Sequence, residues 1–270
     1  MSRNRIAKAF KECKARGEAA FIPFVTAGDP DIETTYDILL TMAENGADIV
    51  ELGVPFSDPL ADGPTIQASS QRALNSGVNP DEILSLVERV RSQTECAIVL
   101  MGYYNPILQF GLDAFSEKAA SVGVDGTIIP DLPLEEASAW LKQAKRFGLS
   151  NIFLVAPNTP LERAKKISAK STGFLYYVSV TGITGARTEL PDELSRGLER
   201  VREISPVPVG VGFGISRPEQ VSALRESADG IIVGSAIVKI IEKNASSKKD
   251  LLRDVGEFVR TMKRATLPAL

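Results

Sequence analysis

Short apolar segments recur along the chain, and they are continuous rather than alternating with polar residues. Segments of this kind are typical of parallel β-strands that are covered on both faces. The pattern predicts eight strands, at residues 20–27, 48–54, 97–101, 124–130, 151–156, 173–180, 207–213 and 229–234.

Segments with a 3.6-residue apolar period separate most of these strands and predict helices at residues 33–44, 81–93, 111–121, 134–147, 161–168, 189–203, 218–226 and 249–264. Strands that alternate with helices indicate an α/β fold, and eight right-handed crossovers let the sheet close into a (β/α)8 TIM barrel. Apolar residues at helical spacing, such as Ile6 and Phe10, predict an extra N-terminal helix. An open doubly wound sheet is the alternative, but the glycine fingerprint of dinucleotide binding is missing.

The composition agrees with an ordinary globular protein, because 44% of the 270 residues are hydrophobic and 24% are charged. Barrels of this kind commonly occupy such a length as one domain, so we expect a single domain over residues 1–270. No apolar stretch approaches the roughly 18 residues of a membrane span, and Pro23 interrupts the run that loosely resembles a signal peptide. The expected location is the cytoplasm.

Charge and residue types exclude several kinds of chemistry. The net charge of −3, without a large basic patch, makes nucleic acid a poor candidate partner. The chain contains no histidine, which excludes serine–histidine triads and imidazole-bound zinc, and Cys13 and Cys96 are isolated thiols without metal-like spacing. We therefore expect no metal site, and acid–base chemistry must come from Asp, Glu, Lys or Tyr.

Carboxylates cluster at the second strand and the loop that follows it. Reactive groups of TIM barrels lie at the carboxyl ends of the strands. Glu51 stands inside an apolar strand, where a carboxylate is costly unless it faces a polar cavity or a buried partner. Asp58 and Asp62 lie in a long, proline-rich loop, which is typical of functional loops, although each aspartate can equally be a turn residue.

Glycine-containing turns end the last three predicted strands, at residues 182–185, 212–216 and 234–236. The loops after the last two strands of a TIM barrel, together with a helix N-terminus, commonly bind phosphate through backbone amides. Each glycine alone is an ordinary turn former, but their combination at adjacent strand ends predicts a phosphate site.

One motif carries a specific resemblance. Residues 51–67 read ELGVPFSDPLADGPTIQ, which closely resembles the signature of the tryptophan synthase alpha subunit family. The resemblance extends through FIPFVTAGDP at residues 21–30, YNP at 104–106, DLP at 131–133, GITG at 182–185, GFGIS at 212–216 and GSAIV at 234–238. These motifs span nearly the whole predicted barrel.

The resemblance implies a carbon–carbon lyase of tryptophan biosynthesis. The implied reaction is the retro-aldol cleavage of indole-3-glycerol phosphate to indole and glyceraldehyde 3-phosphate, with no metal or organic cofactor. Glu51 matches the family's acid–base glutamate, and Asp62 matches the aspartate that accepts the indole N–H. The implied substrate-binding residues are Phe24, Ile66, Met101, Ile128, Tyr176, Thr184 and Phe213, and the implied phosphate-binding residues are Gly185, Gly214, Gly234 and Ser235.

The resemblance also implies a partner. Family members work in an α2β2 heterotetramer with a pyridoxal-phosphate-dependent β subunit, so pyridoxal phosphate is expected only in that subunit, and Asp58 is expected to face it. Val180 stands where some relatives carry arginine, which leaves any contact of that arginine in doubt. A free-standing indole-releasing lyase and a non-catalytic regulatory barrel remain as alternatives.

Overall fold

The computed structural model of the chain describes residues 4–179, 192–212 and 214–268, without the side chains of residues 192 and 193. Its strands are β1 (Ala20–Thr26), β2 (Ile49–Gly53), β3 (Ala97–Met101), β4 (Gly126–Ile128), β5 (Ser150–Ile152), β6 (Leu154–Val155), β7 (Leu175–Val178), β8 (Val209–Gly212) and β9 (Gly230–Val233). Its helices are α1 (Arg5–Ala15), α2 (Ile32–Glu44), α3 (Pro64–Asn75), α4 (Pro80–Arg91), α5 (Tyr104–Phe110), α6 (Leu112–Val122), α7 (Ser138–Phe147), α8 (Leu161–Ser168), α9 (Asp192–Ile204), α10 (Pro218–Leu224), α11 (Ser235–Asn244) and α12 (Lys248–Ala265).

The strands form one parallel sheet that closes on itself. Their order is β5-β4-β3-β2-β1-β9-β8-β7-β6, and the two outer segments are halves of one strand interrupted at Phe153. Backbone hydrogen bonds continue across this point, because Thr172 N donates to Asn151 O and Tyr176 N donates to Phe153 O, each at 2.9 Å. The predicted TIM barrel is thus confirmed, with the fifth predicted strand divided into two segments.

The continuous apolar runs are explained by two separate hydrophobic layers. In β1, Ile22 packs in a cluster inside the barrel, whereas Phe21 and Val25 pack in a larger cluster between the strands and the helices. Every residue of β1 is buried. Successive side chains of a strand point to opposite faces, so both faces of a barrel strand must be apolar.

Helix α1 covers the amino end of the barrel. The Asn4 side chain accepts a hydrogen bond from the Ala7 backbone amide and begins the helix, as an N-cap residue does. Ile6 and Phe10 are buried in the interior cluster, and the Phe10 ring lies 5.6 Å from that of Phe174. The predicted extra N-terminal helix is confirmed, and it seals the barrel opposite the ends where the predicted chemistry lies.

Helix α3 was missing from the predicted elements. Its buried face consists of Ser69, Ser70 and Ala73, which are too small or too polar to produce a strong apolar period. Pro64 occupies its first turn, where proline needs no hydrogen-bond donor. The helix leads away from the proline-rich loop after β2, and α11 likewise begins directly after β9.

No helix in the described part of the chain is both long enough and apolar enough to cross a membrane.

Candidate active site

A cavity opens at the carboxyl ends of the strands. Within the described residues it is lined by Phe24, Glu51, Asp62, Gly63, Ile66, Met101, Tyr176, Gly214, Ile215, Ile232, Gly234 and Ser235. The lining comes from residues far apart in the sequence, and it joins the two predicted carboxylates with part of the predicted phosphate site. The fold therefore brings the two carboxylates and the glycine turns at Gly214 and Gly234 to one place.

Glu51 lies at the inner side of this cavity. Its neighbour Ile49, two positions earlier in β2, packs in the barrel interior, and the alternation of side chains turns Glu51 to the same side. The residue is 1% exposed, and its Oε2 has no hydrogen-bond partner among the described residues. Burial, with a further contribution from the charge of Asp62, raises the pKa of Glu51 to about 8.

A carboxyl group with this pKa is mainly protonated at neutral pH. It can therefore donate a proton to a bound substrate and take another from it afterwards, as a general acid–base group must. The alternative that a buried partner satisfies Glu51 finds no support at Oε2, because the described residues offer this atom no donor.

Asp62 is held by a tyrosine from the next strand's loop. The Tyr103 hydroxyl donates to Asp62 Oδ2 at 3.1 Å and accepts a hydrogen bond from the Ala61 backbone amide at 2.9 Å. Partial burial raises the pKa of Asp62, and the hydrogen bond from Tyr103 opposes that rise. Gln67 Nε2 donates to the Asp62 carbonyl at 2.8 Å, so the backbone is anchored as well.

Tyr176 stands close to both carboxylates. Burial, followed by the charges of Glu51 and Asp62, raises the pKa of Tyr176 well above its ordinary value, so its phenol stays protonated. The Tyr176 ring lies over the backbone of Gly212 on β8, where an added Cβ would come within 2.2 Å of the Tyr176 oxygen. Only glycine at that position leaves room for the ring.

Phe24 forms an apolar wall of the cavity, and its ring, like that of Tyr176, lies against glycine residues. It sits on β1 between β2 and β9, and the residues beside its ring are Gly53 and Gly234. An added Cβ at Gly53 would come within 2.7 Å of the Phe24 ring, and one at Gly234 within 3.3 Å. Ile66 of α3 and Met101 of β3 extend this apolar surface.

The predicted phosphate site includes the start of α11, on one side of the cavity. Gly234 is the N-cap residue of that helix, and no side chain caps it. The first N–H groups of a helix have no partner within the helix, and together with the helix dipole they favour an anion. Gly214 lies beside this helix start with a left-handed φ of 78°. This arrangement suits a phosphate group.

Comparison with known proteins agrees with this geometry. The model of the family described as tryptophan synthase alpha chain matches residues 10–267. The chain belongs to the tryptophan synthase alpha chain family. The Geobacter sulfurreducens tryptophan synthase alpha chain is 50% identical over 262 residues, which cover 97% of this chain and 98% of the relative. That of Thermoanaerobacter sp. strain X514 is 49% identical over 260 residues, covering 96% and 98%.

Solved structures of tryptophan synthase share the fold. The alpha subunit from Legionella pneumophila superposes with a TM-score of 0.90 at 39% identity, covering 97% of this chain and 98% of that one. A chain of the tryptophan synthase a2b2 complex from Pyrococcus furiosus superposes with a TM-score of 0.85 at 43% identity, covering 92% and 98%. The resemblance drawn from the motifs is thus confirmed over nearly the whole chain.

One residue expected from the tryptophan synthase resemblance lies outside the cavity lining. Ile128 on β4 is fully buried in the interior cluster and does not line the cavity formed by the described residues. Its register partner on β3, Met101, does line it. Ile128 is therefore a residue of the barrel interior, packed in the same cluster as Met101, and its contact with the indole ring stays a prediction.

Other predicted residues cannot be placed against this cavity. Thr184, Gly185, Phe213 and Val180 lie outside the described residues. Asp58 is exposed in the loop after β2 and does not line the cavity.

Several residues in or beside the cavity were not predicted from the sequence. Gly63 follows Asp62 directly, and Ile215 lies within the recognised GFGIS motif, so the motifs themselves carried that signal. Ile232 lies in the last predicted strand. Tyr103 had no local signal, because its partner Asp62 lies 41 positions away.

No group of three or more Cys, Asp or Glu side chains in the described ranges is arranged to hold a metal ion.

Proposed function

We propose that the chain cleaves indole-3-glycerol phosphate to indole and glyceraldehyde 3-phosphate. The observation that carries this proposal is the buried Glu51, whose pKa of about 8 leaves it protonated in a cavity shared with Asp62 and the start of α11. Family membership supports the same reaction. A protonated carboxyl, a fixed carboxylate and an anion site are the groups that this cleavage needs.

Glu51 carries the proton transfers in this proposal. Its carboxyl gives a proton to indole C3, which converts the ring to a cation and prepares the bond to the side chain for cleavage. The resulting carboxylate takes the proton of the hydroxyl group on the attached carbon. That carbon becomes the aldehyde, the bonding electrons return to the ring, and Glu51 ends in its starting state.

Asp62 stabilises the charge that develops on the ring. A carboxylate that accepts the indole N–H lies where positive charge appears after protonation of C3, and such fixed electrostatic groups commonly dominate catalysis. The bond from Tyr103 holds Asp62 Oδ2 in place before substrate arrives. Tyr176 stays protonated beside both carboxylates and presents a neutral, polar edge to the substrate.

The phosphate group of the substrate anchors the other end. In the proposed complex, the backbone amides at Gly234 and Ser235 bind its oxygens, and Phe24, Ile66 and Met101 contact the indole ring. Binding energy from this remote phosphate orients the reacting carbon against Glu51.

The proposed reaction uses no metal or organic cofactor. Every step is a proton transfer or a bond cleavage that carboxyl groups can assist. Dialysis against a strong chelator is expected to leave indole release unchanged, and loss of activity that added metal restores would contradict this part of the proposal.

The proposed partner is a pyridoxal-phosphate-dependent β subunit in an α2β2 complex. The Pyrococcus furiosus relative is a chain of a tryptophan synthase a2b2 complex. Leu60 is 94% exposed and lies beside the exposed Asp58 in the loop after β2, which leads directly to Asp62. A partner bound at this loop would bury an apolar side chain and influence the catalytic aspartate. We place this complex in the cytoplasm, which fractionation of cells carrying the native protein would test.

An indole-release assay on indole-3-glycerol phosphate tests the reaction. Wild type is expected to release indole, Glu51→Gln to lose at least about a hundredfold in rate, and Glu117→Gln, an exposed glutamate of α6, to match wild type. Normal activity of Glu51→Gln would refute its role.

The same assay separates the alternatives. If added β subunit stimulates indole release, the chain is the lyase subunit of the α2β2 complex. If indole release is already full and the β subunit does not change it, the chain is a free-standing lyase. No indole release under any condition, combined with activation of the β subunit, would identify a regulatory barrel.

A further inference from the structure

Arg72 of α3 connects its own helix with two other elements of the barrel, the loop after β1 and helix α11. Its Nε and Nη2 donate to Asp29 Oδ1 and Oδ2, each at 2.8 Å, and Asp29 lies in the loop after β1. Its Nη1 donates to Glu242 Oε1 of α11 at 2.9 Å. The guanidinium group therefore contacts the β1 loop, its own helix and the helix that begins at the phosphate side.

The contact with Asp29 is rigid. Asp29 is 1% exposed, and both of its carboxylate oxygens bind the planar guanidinium in the two-bond geometry that only arginine provides. A second contact runs parallel to it, because Thr26 at the end of β1 and Ser69 on α3 share a hydrogen bond of 2.6 Å between buried hydroxyls. The Thr26–Ser69 and Asp29–Arg72 contacts are three residues apart on both elements, and together they fix one face of α3 to the end of β1 and its loop.

The position of Arg72 along its helix matters for the site. Pro64 begins α3 directly after Asp62 and Gly63, and Ser235 begins α11. Arg72 and Glu242 lie eight and seven residues beyond these starts, which is about two helical turns in each case. The two helices also pack against each other. The ion pair therefore lies at a similar distance along each helix from the start that borders the cavity.

We propose that Arg72 is a positioning residue that sets the spacing between Asp62 at the start of α3 and the phosphate-binding start of α11. This inference rests on the proposed function. The two contacts of Arg72, with Asp29 and with Glu242, are called its two arms, and they have separable effects. The Asp29 arm fixes α3 and hence Asp62, whereas the Glu242 arm fixes α11 relative to α3 and hence the phosphate.

Two substitutions distinguish the two arms, because Arg72→Lys disturbs both contacts and Glu242→Gln disturbs only the contact with α11. Arg72→Lys keeps a cation beside the buried Asp29 but loses the two-bond geometry, so kcat for indole release should fall roughly tenfold and KM should rise, because small misplacements of reacting groups are costly. Glu242→Gln removes the α11 arm at an exposed position, so KM and the Kd for sn-glycerol 3-phosphate should rise about threefold while kcat stays within about twofold of wild type.

The chain offers matched controls at another two-bonded ion pair. Arg89 of α4 donates to both carboxylate oxygens of Glu33 on α2, away from the cavity. Arg89→Lys and Glu33→Gln change the same chemical groups, and both are expected to match wild type in kcat, KM and Kd. A purely structural role of Arg72 would change the melting temperature of the variants without the selective rise in KM and Kd that is expected for Glu242→Gln.

Calorimetric binding of sn-glycerol 3-phosphate separates the failure of this inference from that of the proposed function. Wild type that binds the probe but releases no indole would refute the function, while weaker binding by Arg72→Lys and Glu242→Gln would still support the positioning role. The inference is overturned if both variants match wild type within twofold in kcat, KM and Kd. It is also overturned if Arg89→Lys shows the same change, or if wild type does not bind the probe.

Discussion

The Tyr103 hydroxyl donates a hydrogen bond to Asp62 Oδ2 at 3.1 Å while it accepts one from the Ala61 backbone amide at 2.9 Å. One phenol thus fixes both the carboxylate and the backbone beside it. Tyr103 is itself held by burial and by packing of its ring against Phe56, at 5.3 Å between centroids. The loop after β2 is therefore attached to the loop after β3 at Asp62, its proposed catalytic residue.

Substitution Tyr103→Phe should weaken catalysis and change its pH dependence. The hydrogen bond from Tyr103 lowers the pKa of Asp62, so its loss raises that pKa. In the proposed reaction Asp62 acts as a carboxylate, so the acidic limb of the pH profile of kcat/KM should move to higher pH. A hydrogen bond to a charged group contributes about 1.5–3 kcal/mol, so a loss of roughly tenfold or more in kcat is expected.

The neighbouring Tyr104→Phe is the control for this prediction. Its backbone amide, not its hydroxyl, makes the hydrogen bond to Asp131. Wild-type kinetics are expected for Tyr104→Phe. An unchanged acidic limb in Tyr103→Phe would show that this hydroxyl does not tune Asp62.

Glu51 should make the stability of the protein depend on pH. Its pKa rises from 4.5 to about 8 on folding, so the folded state keeps a proton that the unfolded state loses between these values. The contribution of this group is fully present below pH 4.5 and is lost as pH rises to about 8. A tenfold difference in proton affinity between the folded and unfolded states corresponds to about 1.4 kcal/mol, so the total contribution to the free energy of unfolding is on the order of a few kcal/mol.

Glu51→Gln removes this titration. Denaturant unfolding at a series of pH values should therefore show the variant gaining stability relative to wild type as pH rises through that window, with a constant difference above it. Glu117→Gln should follow wild type throughout. If the free energy of unfolding depends on pH in the same way for Glu51→Gln and wild type, the raised pKa of Glu51 is contradicted.

Asp62→Asn should act on both catalysis and Glu51. Removal of a preorganised electrostatic contact costs about 3–4 kcal/mol of transition-state stabilisation, so a loss of a hundredfold or more in kcat is expected. The charge of Asp62 also raises the pKa of Glu51, so the variant should lower that pKa. Carbon-13 carboxyl NMR of Glu51 measures this change, and a pKa that stays at the wild-type value would mean that the two groups do not interact.

Gly212→Ala should disturb the site through Tyr176. The added Cβ would lie 2.2 Å from the Tyr176 oxygen and 2.7 Å from its Cζ, so the ring must move. Overpacking costs about 1–3 kcal/mol of stability, and a displaced ring should reduce kcat/KM by roughly tenfold.

A double variant and a control sharpen this test. Combining Gly212→Ala with Tyr176→Phe removes the closest clash and should restore part of the lost stability. Gly256→Ala on α12 lies away from the cavity and should leave kcat/KM unchanged. Full activity of Gly212→Ala would show that the ring position is not critical.

Much of the fold followed from local patterns in the sequence. Eight continuous apolar runs predicted the barrel strands, because strands covered on both faces must be apolar on both. The isolated carboxylate Glu51 was identifiable for the same reason, since an acidic residue in such a run has no solvent to face. The N-terminal helix followed from its apolar period.

Other features had no local signal. Helix α3 buries serines and an alanine, so the apolar period that marks a helix was weak. The interruption at Phe153 was not predicted from the apolar pattern either, and it divides one barrel strand between the two ends of the strand order. The apolar pattern did not fix the place of Ile128 inside the barrel either, because the depth of a strand residue depends on register with its neighbours.

The sequence by itself determined the barrel, the family and the acidic residues available for catalysis. Tertiary structure alone decided the raised pKa of Glu51, the bond from Tyr103 to Asp62 and the three-way contact of Arg72. The physical reason is the range of the interactions. Apolar periodicity depends on neighbours within a few residues, whereas the Arg72–Asp29 and Arg72–Glu242 pairs join positions 43 and 170 residues apart. Such contacts exist only after the barrel has closed.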